Sequence, residues 1–169
     1  MDYLIRAARI TDIDRLVALC DEALPPDGGT GPLPGPVAGP GPGPVPGAIA
    51  SADLLRQLVY LPQASILIAE HGRDMVGGAV LALRPSVRAG GYVGTVDLLA
   101  VDARRDVDVI TRALLEELLR SARNKGCTVV EAASPDDPIE RDRWDRLGFA
   151  GAAPLIERPV GPIRATAPR

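Results

Sequence analysis

Residues 25–47 are the feature that most limits how this chain can fold. Nine prolines and eight glycines fill 17 of these 23 positions. A segment of this composition has few apolar side chains to bury and favours extended polyproline conformations, so no packed helix or strand is expected there. Because regular patterns resume on both sides, and the strict Gly-X-Y period of collagen is absent, we predict a long loop within one domain. We call it the Pro/Gly segment.

The remaining composition is typical of a soluble single domain. The chain has 169 residues, of which 46% are hydrophobic, but it contains only five aromatic side chains, so Leu, Val, Ile and Ala must form the core. The formal net charge of −3 argues against a nucleic-acid partner. We predict one domain over residues 1–160 and a flexible tail over residues 161–169.

Metal binding and membrane insertion are not expected from this sequence. Cys20, Cys127 and the single histidine, His71, are too few and too scattered for a zinc site of normal ligand count. No basic segment is followed by an apolar run at the N-terminus, and no apolar run approaches about 18 residues. We therefore expect reduced thiols, no bound metal, no membrane partner and a cytoplasmic location.

Hydrophobic periodicity predicts alternating strands and helices. A strand over residues 3–8 precedes one helix that begins at Thr11 and a second helix from Ser51 that Pro62 ends. The later predicted elements are strands over residues 66–70, 75–83 and 92–101, a helix over 107–123, a strand over 127–133, a helix from Pro138 to about Leu147 and a weak strand over 153–160. The adjacent Leu98 and Leu99 indicate either burial on both faces of their strand or a local bulge.

This order of elements resembles the GNAT superfamily of acetyl-CoA-dependent N-acetyltransferases. Residues 96–102 (VDLLAVD) resemble the fourth strand of that family, residues 112–115 (RALL) its following helix, and residues 144–149 (WDRLGF) its YEKLGF motif. The resemblance covers residues 3–160. It implies an α/β (α+β) fold with a mixed, mostly antiparallel central sheet flanked by about four helices.

The phosphate-binding motif of that family is degenerate in this chain. Family members carry Arg/Gln-x-x-Gly-x-Gly/Ala before the third helix, where backbone N–H groups bind the pyrophosphate of coenzyme A. A gapless alignment places Asp106, Val109 and Thr111 at the three signature positions. The side chains of Val109 and Thr111 would crowd a phosphate. A carboxylate about 5 Å from a phosphate repels it by roughly 3 kcal/mol at an effective dielectric constant near 20.

The same carboxylates are typical of a helix start. Asp106 suits the N-cap position and Asp108 the first turn, where both would occupy the favourable end of the helix dipole. Arg104, Arg105 and Arg112 could offset the repulsion, since guanidinium groups bind phosphate well, but they lie outside the motif positions.

The resemblance also implies where the reaction would take place. The implied contacts with acetyl-CoA are Leu99, Val101, Val107, Val109, Ile110, Thr111 and Arg112. Asp97 lies where some family members carry a Glu that acts as a base, and its alternative role is structural. Trp144 occupies the position of a frequent general-acid Tyr. Because an indole cannot supply a proton near neutral pH, we expect Trp144 to fill volume in the core.

Two functions are therefore open. The first is an N-acetyltransferase that binds acetyl-CoA weakly and acetylates a small-molecule or peptide amine. The second is a non-catalytic binding or regulatory module of the same fold that has lost coenzyme A binding. A homodimer is left open, and the Pro/Gly segment is either a lid over the acceptor site or an insertion without function.

Overall fold

A five-stranded sheet forms the centre of the computed structural model, which describes residues 3–23, 51–135 and 138–151. In spatial order its strands are β1 (Leu4–Ala7), β2 (Ala64–His71), β3 (Asp74–Ser86), β4 (Gly91–Val101) and β5 (Cys127–Ala132). Neighbours among the first four strands pair antiparallel, and β5 pairs parallel to β4. The predicted mixed, mostly antiparallel sheet is confirmed.

Four α-helices of the described part cover the two faces of this sheet. They are α1 (Ile13–Ala23), α2 (Ser51–Leu58), α3 (Val107–Asn124) and α4 (Pro138–Arg146). The face that packs against α1 and α2 is called the α1 face, and the opposite face, which packs against α3 and α4, is the α3 face. None of the helices in the described ranges is long and apolar enough to cross a membrane.

Most predicted elements are present with shifted ends. The hairpin strands β2 and β3 are longer than predicted, and the helix predicted from Thr11 is preceded by a short 3-10 turn that begins at Ile10. The Pro/Gly segment, the predicted strand over residues 153–160 and the predicted tail over residues 161–169 lie outside the described residues.

The core on the α3 face is mainly aliphatic, as expected from the composition. Leu81 from β3 and Ile110, Leu114 and Leu118 from α3 are fully buried there. The helix can approach the sheet closely because β3 has a glycine at position 77. A Cβ atom on Gly77 would lie 2.9 Å from Cγ2 of Ile110, so a larger residue would push α3 away.

Strand β4 contains a bulge at Asp97. Val96 pairs with Leu81, and Leu98 pairs with Val80, so Asp97 is an extra residue with no partner on β3. Leu98 then packs on the α1 face and the next residue, Leu99, on the α3 face. Both alternatives raised by this leucine pair are therefore present: the strand is bulged, and it contributes to the core on both faces.

An ion-pair cluster connects β1, β2 and the turn before α1. Arg6 donates to both carboxylate oxygens of Asp12, at 2.8 and 3.1 Å, and to both oxygens of Glu70, at 2.8 and 3.0 Å. The backbone N–H of Arg9 donates to Asp12 at 2.7 Å. The side chains of Asp12 and Glu70 are only 8% and 15% exposed. The hydrogen bonds from Arg6 hold the pKa of both carboxyl groups below their usual values.

Replacing Arg6 with Met should destabilise the protein by on the order of 3 kcal/mol near neutral pH, because two largely buried carboxylates lose their cation. The lowered pKa values mean that the carboxylates stabilise the wild type above the ordinary carboxyl pKa of about 4. This contribution is lost as the pH falls through the lower values of the folded state. Urea unfolding at several pH values should therefore show that the difference in free energy of unfolding between wild type and R6M becomes smaller towards acid pH.

The matched control is Arg56→Met. Arg56 donates to Asp14 and Asp53, but this cluster is exposed to solvent, so its loss should change stability little at any pH. If the difference in free energy of unfolding between wild type and R6M stays constant with pH, the assigned role of Arg6 is contradicted.

Candidate functional site

Strands β4 and β5 separate part of the way along the sheet. Their pairing ends at Val96 and Ala132, after which β4 continues to Val101 whereas β5 stops. Residues 97–101 consequently have one backbone edge that β5 does not pair. We call this opening the β4–β5 divergence. A free strand edge can hydrogen-bond an extended ligand that carries amide groups.

Asp97 lies at the start of the divergence. It follows Val96, the last residue of β4 that pairs with β5, and it is the bulged residue. Its side chain is exposed and makes no hydrogen bond or ion pair with any other residue in the described ranges. Bulges often redirect a side chain beside an active site. The position thus leaves the Asp97 carboxylate accessible where the two strands part.

The predicted contacts on β4 and α3 differ in how they are placed. Leu99 and Val101 pack their side chains against the α3-face core, so only their backbone is available at the divergence. Val109 is exposed, whereas Ile110 and Thr111 are buried. The structure differs from the expectation for Thr111, because a side chain that is 4% exposed packs inside the protein and does not crowd a phosphate at the surface.

The start of α3 is occupied by the chain's own carboxylates. Asp106 is the N-cap, as predicted, and its Oδ1 accepts the N–H of Val109 at 3.2 Å. Its carbonyl oxygen accepts the N–H of Ile110 at 3.1 Å. Within the described part of the chain, the N–H groups of Val107 and Asp108 have no acceptor. The bond to Ile110 is the first regular bond of the helix, so the Asp106 carboxylate takes up one backbone donor, the N–H of Val109, that could otherwise bind phosphate.

The second acidic residue of this helix start holds α4 in place. Nε of Arg143 donates to Oδ1 of Asp108 at 2.6 Å, and the same guanidinium donates to Glu140 one turn away on α4. Asp108 therefore contributes to packing between the two helices, in addition to its favourable position at the N-terminal end of the α3 dipole.

Two of the three candidate arginines are paired with carboxylates. Arg104 donates to Asp102 through Nε, at 2.8 Å, and lies 3.6 Å from Glu22. The hydrogen bonds from Arg104 to Asp102 also lower the pKa of Asp102. Arg105 donates to Asp74 at 3.4 Å. Arg112 is exposed and has no ion pair with another residue of the described part. Of the three, it is the one whose guanidinium is free to bind an anion.

Trp144 packs in the core, as expected. It is 5% exposed, and its ring meets that of Phe149 edge-on, with centroids 4.8 Å apart. The two rings border a cavity of about 490 Å³ between α3, β5 and α4. This arrangement is typical of an aromatic pair that fills volume.

The sequence reasoning did not single out a polar cluster beside the divergence. Oε1 of Glu131 on β5 accepts hydrogen bonds from Thr95 of β4, at 3.1 Å, and from Arg84 of β3, at 3.0 Å. The available signal was that Thr95 and Glu131 are polar residues within otherwise apolar strands. Periodicity alone did not show that these residues pair with each other.

Comparison with known proteins gives a family and a set of similar folds. Residues 41–149 match the Acetyltransferase (GNAT) family. No curated protein matches the chain. A putative acetyltransferase from Agrobacterium tumefaciens str. C58 has 16% identity and a TM-score of 0.70, over 93% of this chain and 99% of that one.

Two further solved structures are similar over almost their whole length. Ribosomal-protein-alanine N-acetyltransferase from Brucella melitensis biovar Abortus 2308 has 18% identity and a TM-score of 0.63, over 94% of this chain and 99% of that chain. AAC(6')-Iy, in complex with the bisubstrate analog CoA-S-monomethyl-acetylneamine, has 17% identity and a TM-score of 0.70, over 95% of this chain and 99% of that chain. At these identities the similarity establishes a shared fold.

Replacing Asp106 with Ala should destabilise the protein by about 1 kcal/mol, because the N–H of Val109 loses its acceptor at the helix start. Asp106→Asn is the matched control, since an amide oxygen caps about as well without the charge. Urea unfolding measures the difference in free energy of unfolding between the two variants. An N-cap role is contradicted if the Ala variant is as stable as the Asn variant.

Proposed function

The chain belongs to the GNAT acetyltransferase family, and on this premise we propose that it transfers an acetyl group from acetyl-CoA to the amine of a small molecule or peptide. The observation that supports this proposal most is the unpaired edge of β4 over residues 97–101. One structural neighbour is bound to a bisubstrate analog that joins coenzyme A to an acetylated amine, which supports the same class of reaction.

The pantetheine arm of the acyl donor suits the free edge of β4. This arm is extended and carries two amides, so it can exchange hydrogen bonds with backbone groups as an added strand would. We assign these contacts to the backbone of Leu99 and Val101, whose side chains are held in the core. Because these side chains pack in the core, they do not cover the edge.

The pyrophosphate end of the donor fits this chain poorly. Asp106 and Asp108 place two carboxylates at the start of α3, and the Asp106 carboxylate uses the N–H of Val109. The groups that remain for an anion are the N–H groups of Val107 and Asp108 and the Arg112 guanidinium. We therefore propose that acetyl-CoA binds more weakly here than to a site that has the family's glycine-containing motif.

Asp97 is the residue we assign to proton removal. The attacking amine must be unprotonated, so a carboxylate at the entrance of the divergence would take its proton directly or through a water molecule. The new C–N bond then forms as the C–S bond of the thioester breaks. The leaving thiolate takes its proton from solvent, because the indole of Trp144 is buried and cannot act as an acid.

The alternative is a non-catalytic module with the same fold. The capped helix start favours this alternative, because the N–H of Val109 would otherwise be free to bind the phosphates of acetyl-CoA. Titration calorimetry with acetyl-CoA and, separately, with desulfo-CoA distinguishes the two functions. Binding supports the enzyme, whereas no binding at millimolar ligand supports the module.

The double variant Asp106→Asn/Asp108→Asn should bind acetyl-CoA about 100-fold more tightly than wild type, since a repulsion of roughly 3 kcal/mol is removed while the cap is kept. Removing the charge of Asp108 also leaves the Arg143 guanidinium with a single carboxylate partner, Glu140, among the described residues. Calorimetry at low and high salt measures the effect, which should shrink as salt screens the charges.

Asp53→Asn is the control for this experiment. Asp53 lies on α2, which packs on the opposite face of the sheet from α3, so its neutralisation should leave the affinity for acetyl-CoA unchanged. If the double variant binds no more tightly than D53N, the carboxylates do not cause the weak affinity.

Replacing Asp97 with Asn should lower kcat by about 100-fold, the smaller end of the usual contribution of a general base, with little change in the KM for acetyl-CoA. The release of free thiol from acetyl-CoA, with spermidine as the amine, measures both constants. A D97N variant with a kcat within twofold of wild type would remove Asp97 from the mechanism.

A further inference from the structure

Glu131 lies on the α1 face of the sheet at the entrance of the β4–β5 divergence. Its neighbours Val130 and Ala132 pack against the α3-face core, and side chains alternate along a strand, so Glu131 faces the other side. It pairs with Thr95, immediately before the last pair of the β4–β5 ladder. The carboxylate is therefore within one or two residues of the position where the strands part.

One oxygen of this carboxylate is fixed and the other is open. Oε1 accepts from Thr95 Oγ1 and from Arg84 Nη2, which come from the two neighbouring strands. Oε2 has no hydrogen-bond partner among the described residues, and the side chain is 29% exposed. Two bonds to Oε1 restrict the rotamer of Glu131 and hold Oε2 towards solvent.

We propose that Glu131 binds a protonated amino group of the acceptor and thereby selects acceptors with at least two basic nitrogens. This inference rests on the proposed acetyl transfer. An ionised carboxylate only accepts hydrogen bonds, so the group that binds Oε2 is a donor, and an ammonium makes the stronger, charge-assisted bond. The nitrogen that attacks the thioester must be unprotonated. The ammonium on Glu131 and the attacking amine are therefore different nitrogens of one acceptor.

The surroundings of Glu131 suit a cation with an apolar linker. Glu131 and the exposed Asp97 place two carboxylates at this end of the divergence, and Arg84, which is half exposed, pairs with only one of them. Val129 lies two residues before Glu131 on the same face and is 52% exposed. Its side chain can pack against the methylene groups between two nitrogens. A diamine or polyamine combines these features.

Titration calorimetry of the full chain with spermidine tests this inference. Glu131→Gln should weaken spermidine binding about ten- to hundredfold, as expected when a hydrogen bond between charged groups is lost. Thr95→Val, which removes only the hydroxyl that holds Oε1, should weaken it by a smaller factor. Where turnover is measured, E131Q should raise the KM for spermidine by a similar factor, with kcat and the KM for acetyl-CoA close to wild type.

Two controls make the result specific. Glu116→Gln neutralises an exposed carboxylate on α3, on the other face of the sheet, and should bind spermidine like wild type. The monoamine n-butylamine should bind wild type far more weakly than spermidine does. The inference is overturned if wild type does not bind spermidine, if E131Q binds it as tightly as wild type, or if n-butylamine binds equally well.

Acetylation assays separate this inference from the proposed function. If spermidine binding depends on Glu131 but no thiol is released from acetyl-CoA, the binding site stands and the proposed acetyl transfer fails. If spermidine is acetylated with the same KM by wild type and E131Q, the acetyl transfer stands and the role of Glu131 is overturned.

Discussion

Strand β4 pairs with two neighbours that differ in length and direction, and the rest of the site depends on this pairing. Antiparallel β3 pairs with every residue of β4 except Asp97, whereas parallel β5 pairs only as far as Val96. Beyond the bulge at Asp97, β4 is held by β3 and by the packing of Leu98 and Leu99 on opposite faces. Because packing replaces the missing pairs, the strand keeps an open edge without losing its position.

The N-terminus of α3 can use its donors for helix stability or for binding an anion, but the same donors cannot serve both. In this chain the Asp106 carboxylate uses the N–H of Val109 for capping, and Asp108 uses its charge to hold Arg143 of α4. Each of these interactions contributes about 1 kcal/mol or less at an exposed position. A protein that binds pyrophosphate at this helix start has to do without these two interactions and the stability they contribute, whereas this chain keeps both. Under the proposed function, the affinity for an acyl donor would then come mainly from the edge of β4.

The sequence was sufficient for the fold and for part of the site. Local signals were strong where they lie close together along the chain: Asp106 caps α3, Trp144 packs, and the bulge occurs beside the Leu98–Leu99 pair. Contacts between distant strands were not predictable, because the Thr95–Glu131 pair depends on the register between β4 and β5. The inward orientation of Thr111 was missed for a related reason, since a motif alignment assigns positions but not the helix face that each one occupies.

We infer that the charges at the two ends of the divergence interact only weakly. From Asp97 to Val101 the strand extends about 13 Å, which exceeds the screening length of roughly 8–10 Å at physiological salt. The carboxylates at the start of α3 lie further along the chain still, beyond the turn after β4. A cation bound by Glu131 therefore does little to relieve the repulsion between Asp106 and the phosphates of a donor. It follows that the two proposals, weak binding of the acyl donor and selection of a cationic acceptor, are separate, and substitutions at one end should leave affinity at the other unchanged.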